Sequence, residues 1–246
     1  MGDKKRGFTL IELLVVVSVI ALLMSIALPV LDRARKQAKD TLCLVRVRHW
    51  GLILKLYSDE YEGKFFSEEH FTTNVRLMEL AKFEEMRFCP LARRNMGAGG
   101  RHPFAVSVGA DTSYGVNLWI GRPWSGGRTK DRCWLTTHVR RGHEIPMLMD
   151  SVYNDDCDPT PCHWDEPPRY DGEPPDGNYN EMRRVCINRH NGAINCAFLD
   201  FSARRVGLKE LWEVRWNRKW FTDPRGMPDY NPPVWPRWMW DFRDYR

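Results

Sequence analysis

The chain has 246 residues, a length that normally holds one domain or two small ones. Its formal net charge of +5 is mild, so composition does not indicate a protein that binds nucleic acid. Seven cysteines are consistent with an oxidising, extracytoplasmic compartment, and eleven tryptophans are many for a chain of this length.

The N-terminal segment combines a short basic leader, residues 1–7, with a long apolar run. Residues 13–31 carry no charge, and a helix over residues 8–31 would be about 36 Å long at about 1.5 Å per residue. A hydrocarbon core is about 30 Å thick, so this helix can span a bilayer. The run is too long for a secretory signal peptide, and a soluble fold rarely covers such a helix on all sides. We therefore predict a single transmembrane helix.

Glu12 is the one charged residue inside this predicted transmembrane helix. A carboxylate in lipid is costly, so it normally has a partner and a function. One interpretation is a side chain near the helix end that reaches back to the lipid headgroups. The other interpretation requires a cation close to the carboxylate.

The run KRG-FTLIE resembles the signature of type IV pilins and type II secretion pseudopilins. In that family the prepilin peptidase cuts after the glycine that matches Gly7 and methylates the new N-terminal residue, here Phe8. The resemblance implies that Glu12 pairs with the terminal amine of a neighbouring subunit as the helices stack in a filament. Pairing two charges that are each costly in lipid favours both assembly and register. Pro29 also matches a proline that recurs in the family.

Basic residues alone do not orient the helix, because both of its flanks carry several lysines and arginines. The resemblance implies a single-pass inner-membrane protein with a cytoplasmic N-terminus and a periplasmic or extracellular C-terminal domain. It also implies the partners: prepilin peptidase, inner-membrane lipid, and other copies of the chain or related pilin-like subunits. No nucleic acid is expected.

The helical spacing continues beyond the apolar run. We predict one helix from Phe8 to about Tyr61, in which residues 32–62 form an amphipathic continuation against a soluble domain, with Gly63 as a stop signal. Pro29 is expected to kink or locally melt this helix. The predicted buried face follows steps of three and four residues: Leu42, Val45, His49, Leu52, Ile53 and Leu56. The histidine on that face is interpreted as a packed side chain.

Residues 63–246 are predicted to form a globular pilin-like domain. An amphipathic helix is predicted within residues 68–88, and a flexible loop over residues 121–144. Three apolar runs are predicted as strands: 103–108, 113–120 and 145–150. The resulting fold class is α+β: a long N-terminal helix packed on an antiparallel β-sheet, with extra loops and short helices.

Residues 154–182 hold nine acidic residues and six prolines, a composition typical of a surface loop. Calcium binding by Asp155, Asp156 and Asp158 is a possible alternative. The run lacks the glycine and the distal glutamate of an EF-hand loop, so a solvated loop is preferred and no cofactor is predicted.

The cysteines leave several pairings open. With Cys43 set aside on the helix, the other six would allow up to three bridges, and Cys157 and Cys162 are spaced to close a small loop. A rival interpretation is a metal site of Cys186, His190 and Cys196. That spacing matches no defensible zinc pattern, so no metal site is predicted.

The C-terminal region is predicted to contain a three-stranded antiparallel meander that starts at about residue 183 and turns at Asn191-Gly192. A catalytic pairing of His190 with Asp200 is disfavoured because no nucleophile accompanies it, and no catalytic residue is assigned. Residues 208–220 are predicted as a helix with an aromatic stripe on one face: Leu208, Trp212, Trp216 and Trp220. The tail from residue 224 is expected to pack along the domain or on a neighbour.

This region resembles the C-terminal part of a large pilin-like family that is abundant in planctomycete-type bacteria. The shared features are the histidine-asparagine-glycine turn, a strand that ends in aspartate, a return strand and a Leu-Trp segment. The usual Asp-Gly turn of that family is Asp200-Phe201 here. Phenylalanine is poorly suited to the positive φ that glycine tolerates, so a different turn geometry is expected.

Two functions follow from these patterns. The first is a structural subunit of a type IV pilus-like or type II secretion pseudopilus filament, with Gly7 and Phe8 for processing and Glu12 and Pro29 for assembly. The alternative is a membrane-anchored binding module that displays a tryptophan-rich domain to glycan, DNA or a secreted protein. An enzyme is not predicted.

Overall fold

The computed structural model describes residues 9–65, 84–92, 112–117, 119–121, 130–152, 166–173, 182–219 and 234–244. The chain divides into two compact units, Met1–Lys39 and Asp40–Arg246. We call the second the globular unit.

A single long helix, α1, spans Leu10–Glu60, as predicted. It remains helical through Pro29, so the expected local melting does not occur. The helix is long and apolar enough to cross a membrane, and its apolar part has no residue buried within the chain. It ends close to the predicted stop signal, where the Gly63 N–H donates to the Ser58 carbonyl at 2.7 Å and Gly63 has a φ of +75°.

The buried face of α1 in the globular unit differs from the predicted one. Of the six predicted positions only Ile53 is buried, whereas His49 is exposed and the four other apolar side chains are 43–58% exposed. The face that packs in the globular unit consists of Cys43, Val47, Trp50, Gly51, Ile53, Leu54, Tyr57 and Ser58. Apolar residues occur on both sides of this helix, so spacing alone did not identify the side that meets the sheet.

Among the described residues, four strands form one antiparallel sheet in the spatial order β1-β2-β3-β4. They are β1 Tyr114–Val116, β2 Pro146–Asp150, β3 Ala193–Phe198 and β4 Ala203–Gly207. The predicted runs 113–120 and 145–150 contain β1 and β2. The predicted strand 103–108 lies outside the described residues, as does most of the predicted helix in 68–88, of which Glu84–Arg87 forms a 3₁₀ turn.

The predicted meander is partly wrong. Its β3–β4 hairpin is present, and Asn191 and Gly192 form a turn with φ values of +52° and +80°. Its first strand is instead a short helix, α2, at Met182–Val185. Both end residues of α2 are buried, which suits a helical turn that faces the core.

The turn at Asp200-Phe201 adopts the conformation that the sequence argument excluded. Phe201 has a φ of +65°, so the expected change of geometry is wrong. The Ser202 N–H and hydroxyl both donate to Asp200 Oδ1, at 3.0 and 2.6 Å, and hold the turn. The Phe201 side chain packs partly buried against the core, which offsets a backbone cost of about 1–2 kcal/mol.

The sheet separates two clusters of buried side chains within the described residues. Leu148 and Ala197 belong to the first cluster, which contains the buried face of α1. Their strand neighbours Met149, Cys196 and Phe198 belong to the second cluster. This alternation follows from the two-residue period of a strand and places α1 on one face of the sheet.

The aromatic stripe forms part of the second cluster, although it is not one helix. Lys209–Trp212 is a 3₁₀ turn, and Leu208, Trp212 and Trp216 are all buried. Trp220 lies outside the described residues. The tail packs on the same cluster, as expected, where Trp235 meets Trp212 edge-on with ring centroids 5.1 Å apart.

Gly192 and Gly51 provide a matched test of this packing. Gly192→Ala is expected to lower the free energy of unfolding by about 1–3 kcal/mol, because φ is +80° and the new Cβ would lie 2.9 Å from Phe242 Cδ1. In Gly51→Ala the new Cβ would meet its nearest atom, the Phe201 carbonyl oxygen, at 3.4 Å, and helix propensity improves. Urea unfolding of both variants checks this. Equal stability of the two variants would contradict the packing described for the tail.

Candidate functional site

The start of α1 carries the first group of predicted functional residues. Gly7 and Phe8 lie outside the described residues. Glu12 lies in the first turn, where its Oε2 accepts hydrogen bonds from the N–H and the hydroxyl of Thr9 at 2.8 and 2.7 Å. The Glu12 N–H donates back to the Thr9 hydroxyl oxygen at 3.3 Å. This reciprocal arrangement is a capping box, and it fixes the position of the carboxylate at the start of the helix.

The apolar surface of α1 is open within the single chain. Every large apolar side chain from Leu10 to Leu31 is at least 45% exposed. Within the globular unit, a stripe on α1 exposes four further apolar side chains: Leu42, Val45, Leu52 and Leu56. We call these four residues the outer stripe. Apolar surface of this extent marks contact with lipid or with other protein chains.

A second group of residues, not grouped by the sequence analysis, lies inside the globular unit. Cys43, Cys89, Asp150 and His190 are all buried, and their four potential ligand atoms lie within 4.8 Å of one another. We call these residues the buried cluster. They come from α1, from the segment after the 3₁₀ turn Glu84–Arg87, from the end of β2 and from the turn before β3.

The distances within the buried cluster are short. His190 Nε2 lies 2.9 Å from Asp150 Oδ2 and 3.5 Å from Cys89 Sγ. The Cys43 thiol donates to Asp150 Oδ1 at 3.5 Å, and its sulfur lies 3.4 Å from the Tyr114 hydroxyl. Asp150 is therefore the centre of the cluster.

Asp150 also has partners outside the cluster. Arg189 Nη1 donates to Asp150 Oδ1 at 3.0 Å, and both side chains are fully buried. The Asn195 N–H donates to Asp150 Oδ2 at 2.9 Å. The same guanidinium donates to the carbonyls of Ser113 and Ser151 at 2.8 and 3.0 Å, so the strand ends hold its position.

The second ring nitrogen of His190 faces another carboxylate. His190 Nδ1 lies 2.7 Å from Asp40 Oδ1. Asp40 in turn accepts from Arg205 Nη1 at 3.0 Å, and Arg205 also donates to the His190 carbonyl. The imidazole therefore lies between two carboxylates, one fully buried and one partly exposed.

These contacts shift the ionisation of the cluster. Burial alone would raise the pKa of Asp150, but the charges of His190 and Arg189 outweigh it and lower that pKa to about 2. Burial would lower the pKa of His190, but the charge of Asp150 and its hydrogen bond raise it above its ordinary value. Burial raises the pKa of the Cys43 thiol. Burial would also raise the pKa of the Cys89 thiol, but hydrogen bonds from Cys43 and His190 and the charge of Arg189 outweigh it and lower that pKa.

The structure agrees with the rejection of both pairings considered for His190. Cys186 and Cys196 pack in the second core cluster. Asp200, the disfavoured catalytic partner, is exposed and accepts from Ser202. Asp150 was not singled out, although an acid that ends an apolar strand is an unusual residue to bury.

The cysteines differ from the expected bridging pattern. Cys43, Cys89, Cys186 and Cys196 are buried free thiols. Cys89, Cys186 and Cys196, which were candidates for bridges, are therefore unbridged. Cys157 and Cys162 lie outside the described residues, as do the three aspartates considered for calcium.

The alternative of a tryptophan-rich binding surface receives little support from the described part of the chain. Five of the tryptophans in that part are at most 6% exposed: Trp50, Trp119, Trp134, Trp212 and Trp216. Trp240 is 65% exposed. Most of the described indole surface therefore stabilises the core.

Fold and site together define an α+β protein whose long apolar helix suits a membrane and continues into a helix packed on an antiparallel sheet. The family described as the prokaryotic N-terminal methylation motif matches residues 2–28. Comparison with curated proteins and with solved structures gives no match. The chain therefore carries the N-terminal segment typical of type IV pilins and pseudopilins, a structural motif that implies a precursor processed by a prepilin peptidase.

Proposed function

We propose that the chain is a structural subunit of a type IV pilus-like or type II secretion pseudopilus filament. It is cut after Gly7, methylated at Phe8 and assembled from the inner membrane. The observation that carries this proposal is the methylation motif at residues 2–28, which runs into a helix whose large apolar side chains are exposed within the single chain.

The exposed apolar surface suits a subunit that is first inserted in the membrane and later assembled in a filament. Before assembly, residues 8–31 lie in the inner membrane, with the N-terminus in the cytoplasm and the globular unit on the periplasmic side. In the filament, the same surface packs against the helices of other copies or related subunits. The outer stripe supports this arrangement. In the globular unit the sheet covers one apolar side of α1, and the outer stripe on another side stays exposed and can contact a second subunit.

Glu12 sets the register between subunits in this proposal. The capping hydrogen bonds from Thr9 place the carboxylate, and Thr9 carries no charge that could neutralise it. Cleavage after Gly7 creates an ammonium group near the start of the neighbouring helix. Pairing the two charges lowers the cost of holding each of them away from water.

Processing at Gly7 provides the test. When the full chain is co-expressed with a prepilin peptidase, intact mass measurement is expected to show loss of residues 1–7. Gly7→Leu is expected to remain uncut, because a bulky side chain occupies the position that the peptidase requires to be glycine. Gly2→Leu changes a glycine in the same leader away from the cleavage site and is expected to be cut normally. Retention of the leader in all three proteins would contradict the proposal.

A further inference from the structure

We propose that Cys43, Cys89, Asp150 and His190 bind one zinc ion, which fastens α1 to the sheet of the globular unit. The donor set contains two sulfurs, one imidazole nitrogen and one carboxylate oxygen. Zinc binds these three ligand types in four-coordinate sites, and thiolate ligands disfavour magnesium and calcium. This inference is independent of filament assembly and departs from the expectation of a chain without a metal.

The spacing of the four ligand atoms suits a tetrahedral ion. Bonds of about 2.3 Å to sulfur and about 2.0 Å to nitrogen or oxygen place neighbouring ligand atoms roughly 3.3–3.8 Å apart. Cys89 Sγ lies 3.5 Å from His190 Nε2, and Cys43 Sγ lies 3.7 Å from Asp150 Oδ2, the oxygen that faces the imidazole. The His190–Asp150 contact of 2.9 Å is the one shorter edge among these three. A small rotation of either side chain opens that edge.

The residues around the cluster support its ligands as they do in known kinds of metal site. A ligating histidine generally presents its other ring nitrogen to a carboxylate, which fixes the orientation of the ring. Asp40 lies on this side of the ring, with Oδ1 2.7 Å from His190 Nδ1. Arg189 and the Asn195 N–H bind the two oxygens of Asp150 and hold the carboxylate in position.

The charges balance when zinc is present. One zinc ion, two thiolates, the Asp150 carboxylate and a neutral imidazole together carry one negative charge. Arg189, fully buried beside Asp150, supplies the matching positive charge. Asp40 and Arg205 neutralise each other at the edge of the cluster. A dication can therefore be buried here while the site as a whole stays neutral, which keeps the free-energy cost of burying charge low.

The location of the site explains what the ion would do. Its four ligands are far apart in sequence and come from four different segments of the globular unit. Since all four are buried, the cluster presents no ligand position to a substrate, which is typical of a structural zinc site. Zinc would therefore cross-link α1, the segment at Cys89, β2 and the turn before β3.

The test uses the full chain in detergent, purified without added metal and then loaded with cobalt as a spectroscopic substitute. We expect one metal ion per chain, with the visible bands of a tetrahedral site and a thiolate-to-cobalt charge-transfer band in the near ultraviolet. Cys43→Ser and Cys89→Ser are each expected to lose about half of the charge-transfer intensity or all of the binding. Cys186→Ser removes a buried thiol in the other core cluster and should keep the full signal.

Cysteine accessibility in the unaltered chain separates zinc from its main rival, a disulfide between Cys43 and Cys89. Zinc predicts that, once a chelator has removed the metal and urea has unfolded the chain, both thiols react with an alkylating agent with no reductant needed. A chain that requires reductant instead, and whose mass shows a Cys43–Cys89 bridge, would overturn the proposal. A chain with neither metal nor bridge, or one that binds cobalt equally well in all three serine variants, would overturn it too.

Discussion

Asp150→Asn is expected to lower the free energy of unfolding of the metal-free chain by about 3–5 kcal/mol, the range observed when one partner of a buried ion pair is removed. Asparagine has nearly the same shape, so the loss comes from charge and not from a cavity. Arg189 would keep a fully buried positive charge, and His190 would lose the carboxylate that lies 2.9 Å from its Nε2. Urea unfolding of the full chain in detergent measures the change.

Asp200→Asn is the matched control for this substitution. Asp200 is exposed and accepts hydrogen bonds within its own turn, so the same chemical change there should cost about 1 kcal/mol or less. Equal losses in the two variants would show that the ion pair of Asp150 contributes no more than a surface carboxylate.

The charge of Asp150 also makes the stability of the fold depend on pH in the acid range. Its pKa is lowered from 3.8 to about 2 in the folded chain, so ionised Asp150 contributes stability that is fully present above about pH 4. That contribution is lost as the pH falls through about 2. In Asp150→Asn this part of the acid dependence should be missing.

Glu12→Ala is expected to abolish filament assembly and to leave membrane insertion intact. The substitution removes a charge from the apolar helix, so insertion should not suffer. Assembly loses the carboxylate that pairs with the amine of the neighbouring subunit. Separation of membrane and filament fractions, in a host that supplies the peptidase and the assembly machinery, measures both steps.

Two further variants separate the charge of Glu12 from its capping role. Glu12→Gln can still accept the hydrogen bonds from Thr9 but carries no charge, and it should fail to assemble as alanine does. Thr9→Ala removes the capping box and keeps the charge, and it should assemble. Normal filaments from Glu12→Gln would show that capping, and not charge pairing, is the function of this residue.

The sequence predicted the elements of the fold better than their contacts. Hydrophobic length and period identified α1, apolar runs identified β1 and β2, and alternation after an Asn-Gly turn identified the β3–β4 hairpin. The same period did not select the buried side of α1, because Leu52 and Leu56 on one side are as apolar as Ile53 and Leu54 beside them. Only the sheet that meets the helix decides which side is covered, and that information is not local.

The helix predicted from the regular spacing of Leu208, Trp212 and Trp216 is wrong for a related reason. Their four-residue spacing is that of a helix face, yet they reach one core cluster from a 3₁₀ turn and the residues on either side of it. Large indole side chains can be buried in the same core cluster by more than one backbone conformation. The spacing therefore indicated the environment correctly and the secondary structure wrongly.

The buried cluster could not be assembled from the sequence, because no short motif links its four residues. His190 stands out in the sequence beside an Asn-Gly turn, but its nearest partners lie 40 or more positions earlier in the chain. The sequence predicts Cys43 only as a helix residue, although its position on α1 is what brings it to Asp150. Such a site requires the tertiary fold, in contrast to the linear motif at the N-terminus.

The most direct test of the central claim is the mass of the mature N-terminus in protein isolated from its native membrane or filament. A pilin-like subunit predicts a chain that begins at Phe8, with a methyl group on its α-amine. A native chain that retains residues 1–7, or one from which the entire apolar segment has been removed as an export signal, would contradict the account.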